Sequence, residues 1–368
     1  MNDLTQVVIE QPKKTEQKML FLRFPLKEQI LFAKRLSMLQ QSGVPLLRGL
    51  RMIATQTKNK NTKYIMETLL KSVERGQYLS TSLEPFQKIF GAFFINIIQI
   101  GEMSGTLQEN LAHLSEELKK RLALRRKVRG AMVYPAIIVI ATFGISILLT
   151  VFLFPKILPI FESLDFQLPW TTRVLIGLSG FIIKYWALLI TAVVAVIAGF
   201  IIALRNHKFK FRYHQFLLKL PIFGNLLQQY YLANLCRTFG LLLRTDVRIV
   251  RALQITSETL VNLVYRKQLL ILADYVTDGH RISAHLITEP KLFPSIMTQL
   301  VEVGESTGNL PDTFNFLAEM YENEVDDITK NLSTILEPAL MIIMGLIVGF
   351  VAISIITPIY GFTQNIHP

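Results

Sequence analysis

The sequence predicts an all-α membrane protein with two duplicated cytoplasmic helical-bundle domains and three transmembrane helices, and three observations carry that expectation. Hydrophobic residues make up 51% of the 368 and charged ones only 18%, with a mean hydropathy of +0.38, a balance that fits membrane spans joined to polar domains. Three apolar runs reach the roughly 20 residues that a helix needs to cross a bilayer. The third observation is internal repetition. Gly101, Glu102 and Gly105 recur as Gly304, Glu305 and Gly308, and Pro135 recurs as Pro338 at the same interval without a gap.

That interval also carries Val44, Arg48 and Leu50 onto Val247, Arg251 and Leu253. Further along it carries Gly76, Ser80, Phe90, Leu107 and Pro155 onto Gly279, Ser283, Phe293, Leu310 and Pro358. A unit of roughly 130 residues is longer than a solenoid repeat and has the size of a domain.

In chain order, residues 1–24 form a polar lead with little periodicity. Met1 to Lys18 hold no signal-peptide pattern, so the N-terminus is expected in the cytoplasm. Residues 25–130 read as the first cytoplasmic helical domain. Ile30, Leu31, Ala33, Leu36 and Leu39 fall on one helical face opposite Lys34, Arg35 and Gln41. Ser42-Gly43 ends that helix and Pro45 suits the start of the next, which makes a tight hairpin. The second copy has Asp246 and Arg248 at these positions; Asp takes a left-handed backbone less readily than Gly, which leaves the second turn free to differ in geometry. Helices follow at about Lys60 to Glu74, Tyr78 to Leu83 and Ala92 to Ile100, and no run alternates as a strand would. Thr106 with Glu109, and Asn309 with Asp312, have the spacing of a capping box at the start of a helix.

The first span is assigned to residues 131–154, an extracytoplasmic loop and interfacial approach to 155–184, and the second span to 185–204. The second cytoplasmic helical domain takes 205–335, the third span 336–358 and an extracytoplasmic tail 359–368. Lys119, Lys120, Arg121, Arg125, Arg126, Lys127 and Arg129 precede the first span, and Arg205, Lys208, Lys210 and Arg212 follow the second. Both clusters are expected on the cytoplasmic side. The formal net charge of +12 is accordingly assigned to anionic lipid headgroups ahead of nucleic acid.

No phosphate-binding loop, H-E-x-x-H, G-x-S-x-G or His/Cys cluster is present, so neither catalysis nor a cofactor is expected. The single cysteine, Cys236, reads as a small core residue. Spans nearly free of charge weigh against an ion-coupled transporter, the alternative reading; a membrane-anchored DNA-binding protein is a third reading. Tyr134 with Pro135, and Glu337 with Pro338, mark the mouths of the first and third spans. Glu337 is read as a carboxylate at headgroup level. Gly345 and Gly349 form G-x-x-x-G, with Thr142 and Ser146 at the matched positions; an oligomer contact, packing within the chain and chance all remain open there. Glu102 and Glu305 have two readings. Each hydrogen-bonds amides at its own corner, or the corner docks a cytoplasmic subunit. Arg48 and Arg251 read as solvated surface.

The hairpin S-G-V-P-L-L from Ser42, the corner I-G-E-x-S-G-x-L from Ile100, its second form V-G-E-S-T-G-N-L from Val303, and the prolines at the span mouths resemble the type II secretion system protein F family. The likeness covers about residues 26 to 363. That resemblance implies an inner-membrane platform beneath a growing pilus, pseudopilus or competence pseudopilus. It implies coupling of a cytoplasmic assembly ATPase to the addition of pilins or pseudopilins, contacts with other inner-membrane assembly subunits, and self-association into a homo-oligomer in the lipid bilayer.

Overall fold

The computed structural model describes residues 22–57, 59–153, 155–156, 170–221 and 223–365, and every regular element among them is helical. The first copy runs through α1 (Leu26–Gln41), α2 (Leu46–Gln56), α3 (Lys60–Glu74), α4 (Leu79–Leu83), α5 (Gln87–Ser104) and α6 (Leu107–Leu148). Next come α7 (Trp170–Ala203) and α8 (His207–Lys219), which have no twin. The second copy repeats the order as α9 (Phe223–Arg244), α10 (Ile249–Thr259), α11 (Leu263–Thr277), α12 (Ile282–Leu286), α13 (Ser295–Thr307) and α14 (Leu310–Asn365). Residues 1–21 of the expected lead, 157–169 of the expected extracytoplasmic loop and 366–368 of the expected tail lie outside the described residues.

Local chemistry explains the matching boundaries. Asn59 caps α3 by accepting from the amides of Asn61 and Thr62 at 2.9 and 3.4 Å, and Asn262 caps α11 by accepting from Val264 N at 2.8 Å. Each cap satisfies amides that have no partner inside the helix. Gly43 ends the first hairpin helix at φ 76°, and Asp246 takes the same left-handed backbone at φ 60°. The closing bonds also agree: Val44 N to Leu39 O is 2.9 Å, and Val247 N to Leu242 O is 3.0 Å. The second turn therefore does not differ. Asp246 accepts the cost of a positive φ because the surrounding helices impose the turn.

Two compact units emerge. The first holds the described residues up to Leu124 together with Tyr231–Tyr321, so both bundles share one body. Its core is duplicated like the sequence: Leu36, Leu50, Leu69, Ile98 and Leu114 are buried in one bundle, and Phe239, Leu253, Leu272, Val301 and Leu317 occupy the matched positions in the other. Aromatic edges seal each half, with Phe90–Phe94 centroids at 4.9 Å and Phe239–Phe314 at 4.7 Å. Helix α10 packs on α5 across the two copies, and Arg121 Nη2 donates to Thr259 O at 2.9 Å.

The second unit holds Arg125–Tyr230 and the chain from Glu322 onward. The ranges Leu107–Phe152, Trp170–Ala203 and Leu310–Ser354 are long and apolar enough to cross a membrane. Helices α6 and α14 pass through Pro135 and Pro338 without interruption, so the matched prolines sit inside long helices. Val174 to Ile183, expected as an interfacial approach, lie in the first half of α7, which bends at Tyr185 (φ −114°). Thr172 Oγ1 donates to Ser354 O and Ser179 Oγ to Thr150 O, each at 2.8 Å. Thr150 lies where the first apolar helix widens into a π-helical turn at Leu149–Leu153, and a hydroxyl there satisfies a carbonyl that lipid could not.

Candidate functional site

The Gly-Glu corners are built by close helix crossing. A Cβ placed on Gly101 would stand 2.8 Å from Leu107 Cα, and one on Gly304 would stand 2.4 Å from Thr313 Oγ1. Only glycine lets the end of α5, and of α13, approach the start of the next long helix so nearly. Gly105 and Gly308 then reverse the chain at φ 75° and 72°. The carbonyls of Thr106 and Asn309 accept the first intrahelical bonds of α6 and α14 at 3.0 and 3.2 Å. The capping box expected at Thr106 and Glu109 is not formed: the Thr106 hydroxyl is engaged instead by Asn110 Nδ2 at 3.2 Å and Ser104 Oγ at 2.6 Å.

The two carboxylates do not serve their own corners. Glu102 accepts from the amides of Leu79 (2.5 Å) and Ser80 (2.9 Å) and from the Ser80 hydroxyl (2.5 Å). Glu305 repeats this on Ile282 (2.5 Å), Ser283 N (3.1 Å) and Ser283 Oγ (2.6 Å). Each therefore caps a five-residue helix that begins 23 residues upstream, α4 or α12. A negative charge there satisfies orphan amides and complements the positive helix end. Sequence reasoning missed Ser80 and Ser283 as the partners, although both belong to the matched set.

Around the first corner the surface is open. Met103 is 81% exposed, and it borders a hollow of about 460 Å³ that faces Arg244, Thr245 and Asp246 of the second hairpin. Beside it, Glu117 and Arg237, 8% and 6% exposed, approach to 3.8 Å and tie α6 to α9; Arg237 also reaches Asn315 Oδ1 at 3.4 Å. This buried contact fixes the register between copies more than it adds stability, since both charges lose hydration. Arg48 and Arg251 are exposed, and Tyr134 and Glu337 are exposed within their long helices.

Cys236 is fully buried and its burial pushes the thiol well above its ordinary range, which makes it unreactive. Tyr265 is raised in the same way by burial. His285 is held below its ordinary value, chiefly by burial. Within the apolar helices, Thr142 Oγ1 bonds its own Ile138 O at 2.9 Å. Ser146 borders an apolar groove of about 540 Å³ with Thr150, Leu175 and Phe350. A Cβ on Gly345 or Gly349 would meet no described atom within 4 Å, so neither glycine packs against another helix among the described residues.

The model of the family "Type II secretion system (T2SS), protein F" matches residues 32–155 and 235–358, one stretch in each copy. A type IV pilus assembly protein PilC from Thermus thermophilus is 31% identical over 91% of this chain and 82% of its own length. One from Myxococcus xanthus is 28% identical over 93% of this chain and 82% of its own. A type II secretion system protein F from Pseudomonas aeruginosa is 29% identical, covering 91% and 82%.

Proposed function

The chain belongs to the type II secretion system protein F family, and on that premise we propose that it is the inner-membrane platform of a pilus or secretion assembly machine. In that role it couples a cytoplasmic assembly ATPase to the polymerisation of pilins or pseudopilins. The observation that carries the reading is the double match: each matched stretch runs from a helical bundle into an apolar helix, with no loop between them in α6 or α14. Relatives named for type IV pilus assembly and for type II secretion support a role common to both machines. Three apolar helices and this family fit an inner-membrane protein.

The finer assignments follow from the chemistry. Glu102 and Glu305 are engaged inside the bundles, so the ATPase would dock on what the corners expose, with Met103 and the hollow beside it as the seat. Gly345 and Gly349 leave backbone open for a second helix, a surface suited to another copy or to a pilin span. The basic residues from Lys119 to Arg129 support a cytoplasmic location for both bundles and for the N-terminus.

A photo-crosslinking residue at Met103 and another at Leu346 test this in cells that assemble the filament. Capture of the ATPase from the first position and of a pilin from the second is expected. Capture of neither, or labelling of the bundles from outside the cell, would overturn the platform reading. Hydrolysis of nucleotide by the purified chain would do the same.

A further inference from the structure

Helix α8 follows directly on the end of α7 and lies outside both stretches matched by the family model. We propose that α8 lies in the headgroup layer and binds anionic phospholipid, with Lys208, Arg212 and Lys219 on phosphate and Phe209 and Phe216 inserted below it. Depth is set by the end of α7. Phe200 lies three residues before the last residue of α7, about 4.5 Å along the helix axis, and its ring meets Phe209 at 6.3 Å and Tyr213 at 5.4 Å. Only three residues, Leu204 to Asn206, separate α7 from α8. The second helix is thus folded back against the final turn of the apolar one, at the level where hydrocarbon gives way to headgroups.

The face it presents suits that layer. Lys208, Arg212, Gln215 and Lys219 recur at helical spacing and are all exposed. Beside this stripe stand Phe209 and Phe216, 41% and 60% exposed, while His214 is buried on the opposite side. Basic residues flanked by aromatic ones on a short amphipathic helix are the pattern of an interfacial segment. No Asp or Glu occurs between Asp165 and Asp246, so no carboxylate nearby in sequence competes with lipid phosphate for the stripe. Each Lys or Arg near an acidic leaflet strengthens retention about fivefold.

The full chain with Gln215→Cys, labelled with a polarity-sensitive fluorophore, is placed in nanodiscs of phosphatidylcholine with and without phosphatidylglycerol. Cys236 is buried and does not compete for the label. The expected result is a blue shift, with quenching by headgroup spin-labelled lipid, in the anionic discs. Added salt should reverse this effect, and the combined Lys208→Gln, Arg212→Gln and Lys219→Gln variant should abolish it. Neutralising Arg212 alone should lower retained phosphatidylglycerol about fivefold. The salt titration needs no mutation and so does not depend on the variant folding. Equal signals in the two kinds of disc would overturn the proposal. So would a label that stays water-exposed in anionic discs and becomes shielded only when an acidic protein is added.

Discussion

Replacing Glu102 by alanine withdraws the acceptor shared by the amides of Leu79 and Ser80 and by the Ser80 hydroxyl. Hydrogen bonds to a charged group contribute about 1.5–3 kcal/mol each, but adding three of them overstates the loss, because Glu102 is only half-buried and water can replace part of what is removed. Loss of a helix cap alone costs about 0.5–2 kcal/mol. The second stranded amide raises the expected cost of Glu102→Ala to about 2–4 kcal/mol. Glu102→Gln keeps one carbonyl oxygen and should lose about half as much, and Ser80→Ala about 1 kcal/mol. The measurement is hydrogen exchange on the full chain in detergent, read on peptides across α4. Protection there should fall about 30- to 1,000-fold in Glu102→Ala, and α12 should respond in the same way to Glu305→Ala but not to Glu102→Ala. Unchanged exchange at Leu79 and Ser80 would refute the capping argument. If filament assembly were lost in that same variant, the carboxylate would instead be a partner contact.

Other perturbations probe other parts of the bundles. Gly101→Ala forces a methyl against the Leu107 backbone and should cost about 1–3 kcal/mol in thermal unfolding; an unaltered melting curve would show that the crossing is looser than 2.8 Å implies. Asp246→Gly relieves a positive φ and should stabilise by up to about 1 kcal/mol, whereas Gly43→Asp should do the reverse; equal melting temperatures would contradict this. His285 is held below its ordinary pKa by burial, so the folded chain binds fewer protons than the unfolded one. Its contribution is therefore complete above the unfolded pKa and declines as pH falls toward the folded one, and His285→Gln should flatten that part of a stability-versus-pH curve. In the second unit, Thr172→Val removes the bond to Ser354 O and should weaken helix association by about 0.6 kcal/mol, measured by unfolding in mixed micelles.

Much of the architecture was legible because duplication states each element twice. The hairpin, the corner and the apolar helix that follows the corner each had a second instance against which to check the first, whereas α7 had none. What stayed hidden was tertiary. Glu102 looked local because sequence shows a corner, but its partners lie where α4 starts, brought near only when α5 folds back beneath it. At Asp246 propensity left the turn open, and the structure holds the same left-handed geometry in both copies. The caps Asn59 and Asn262 were overlooked although their spacing ahead of an apolar pattern is a readable signal. Proline at 135 and 338 marked the mouths of spans, yet the helices run on through both.

The unpaired helix α7 settles a problem of crossings. A module that ends in one transmembrane helix delivers whatever is fused behind it to the opposite compartment. Two such modules joined directly would be stranded on different sides of the bilayer, yet here both bundles share one body. An odd number of additional passes must intervene, and among the described residues α7 is the one helix between the copies long and apolar enough to cross a membrane. Deleting α7 should therefore carry the second bundle across the bilayer from the first.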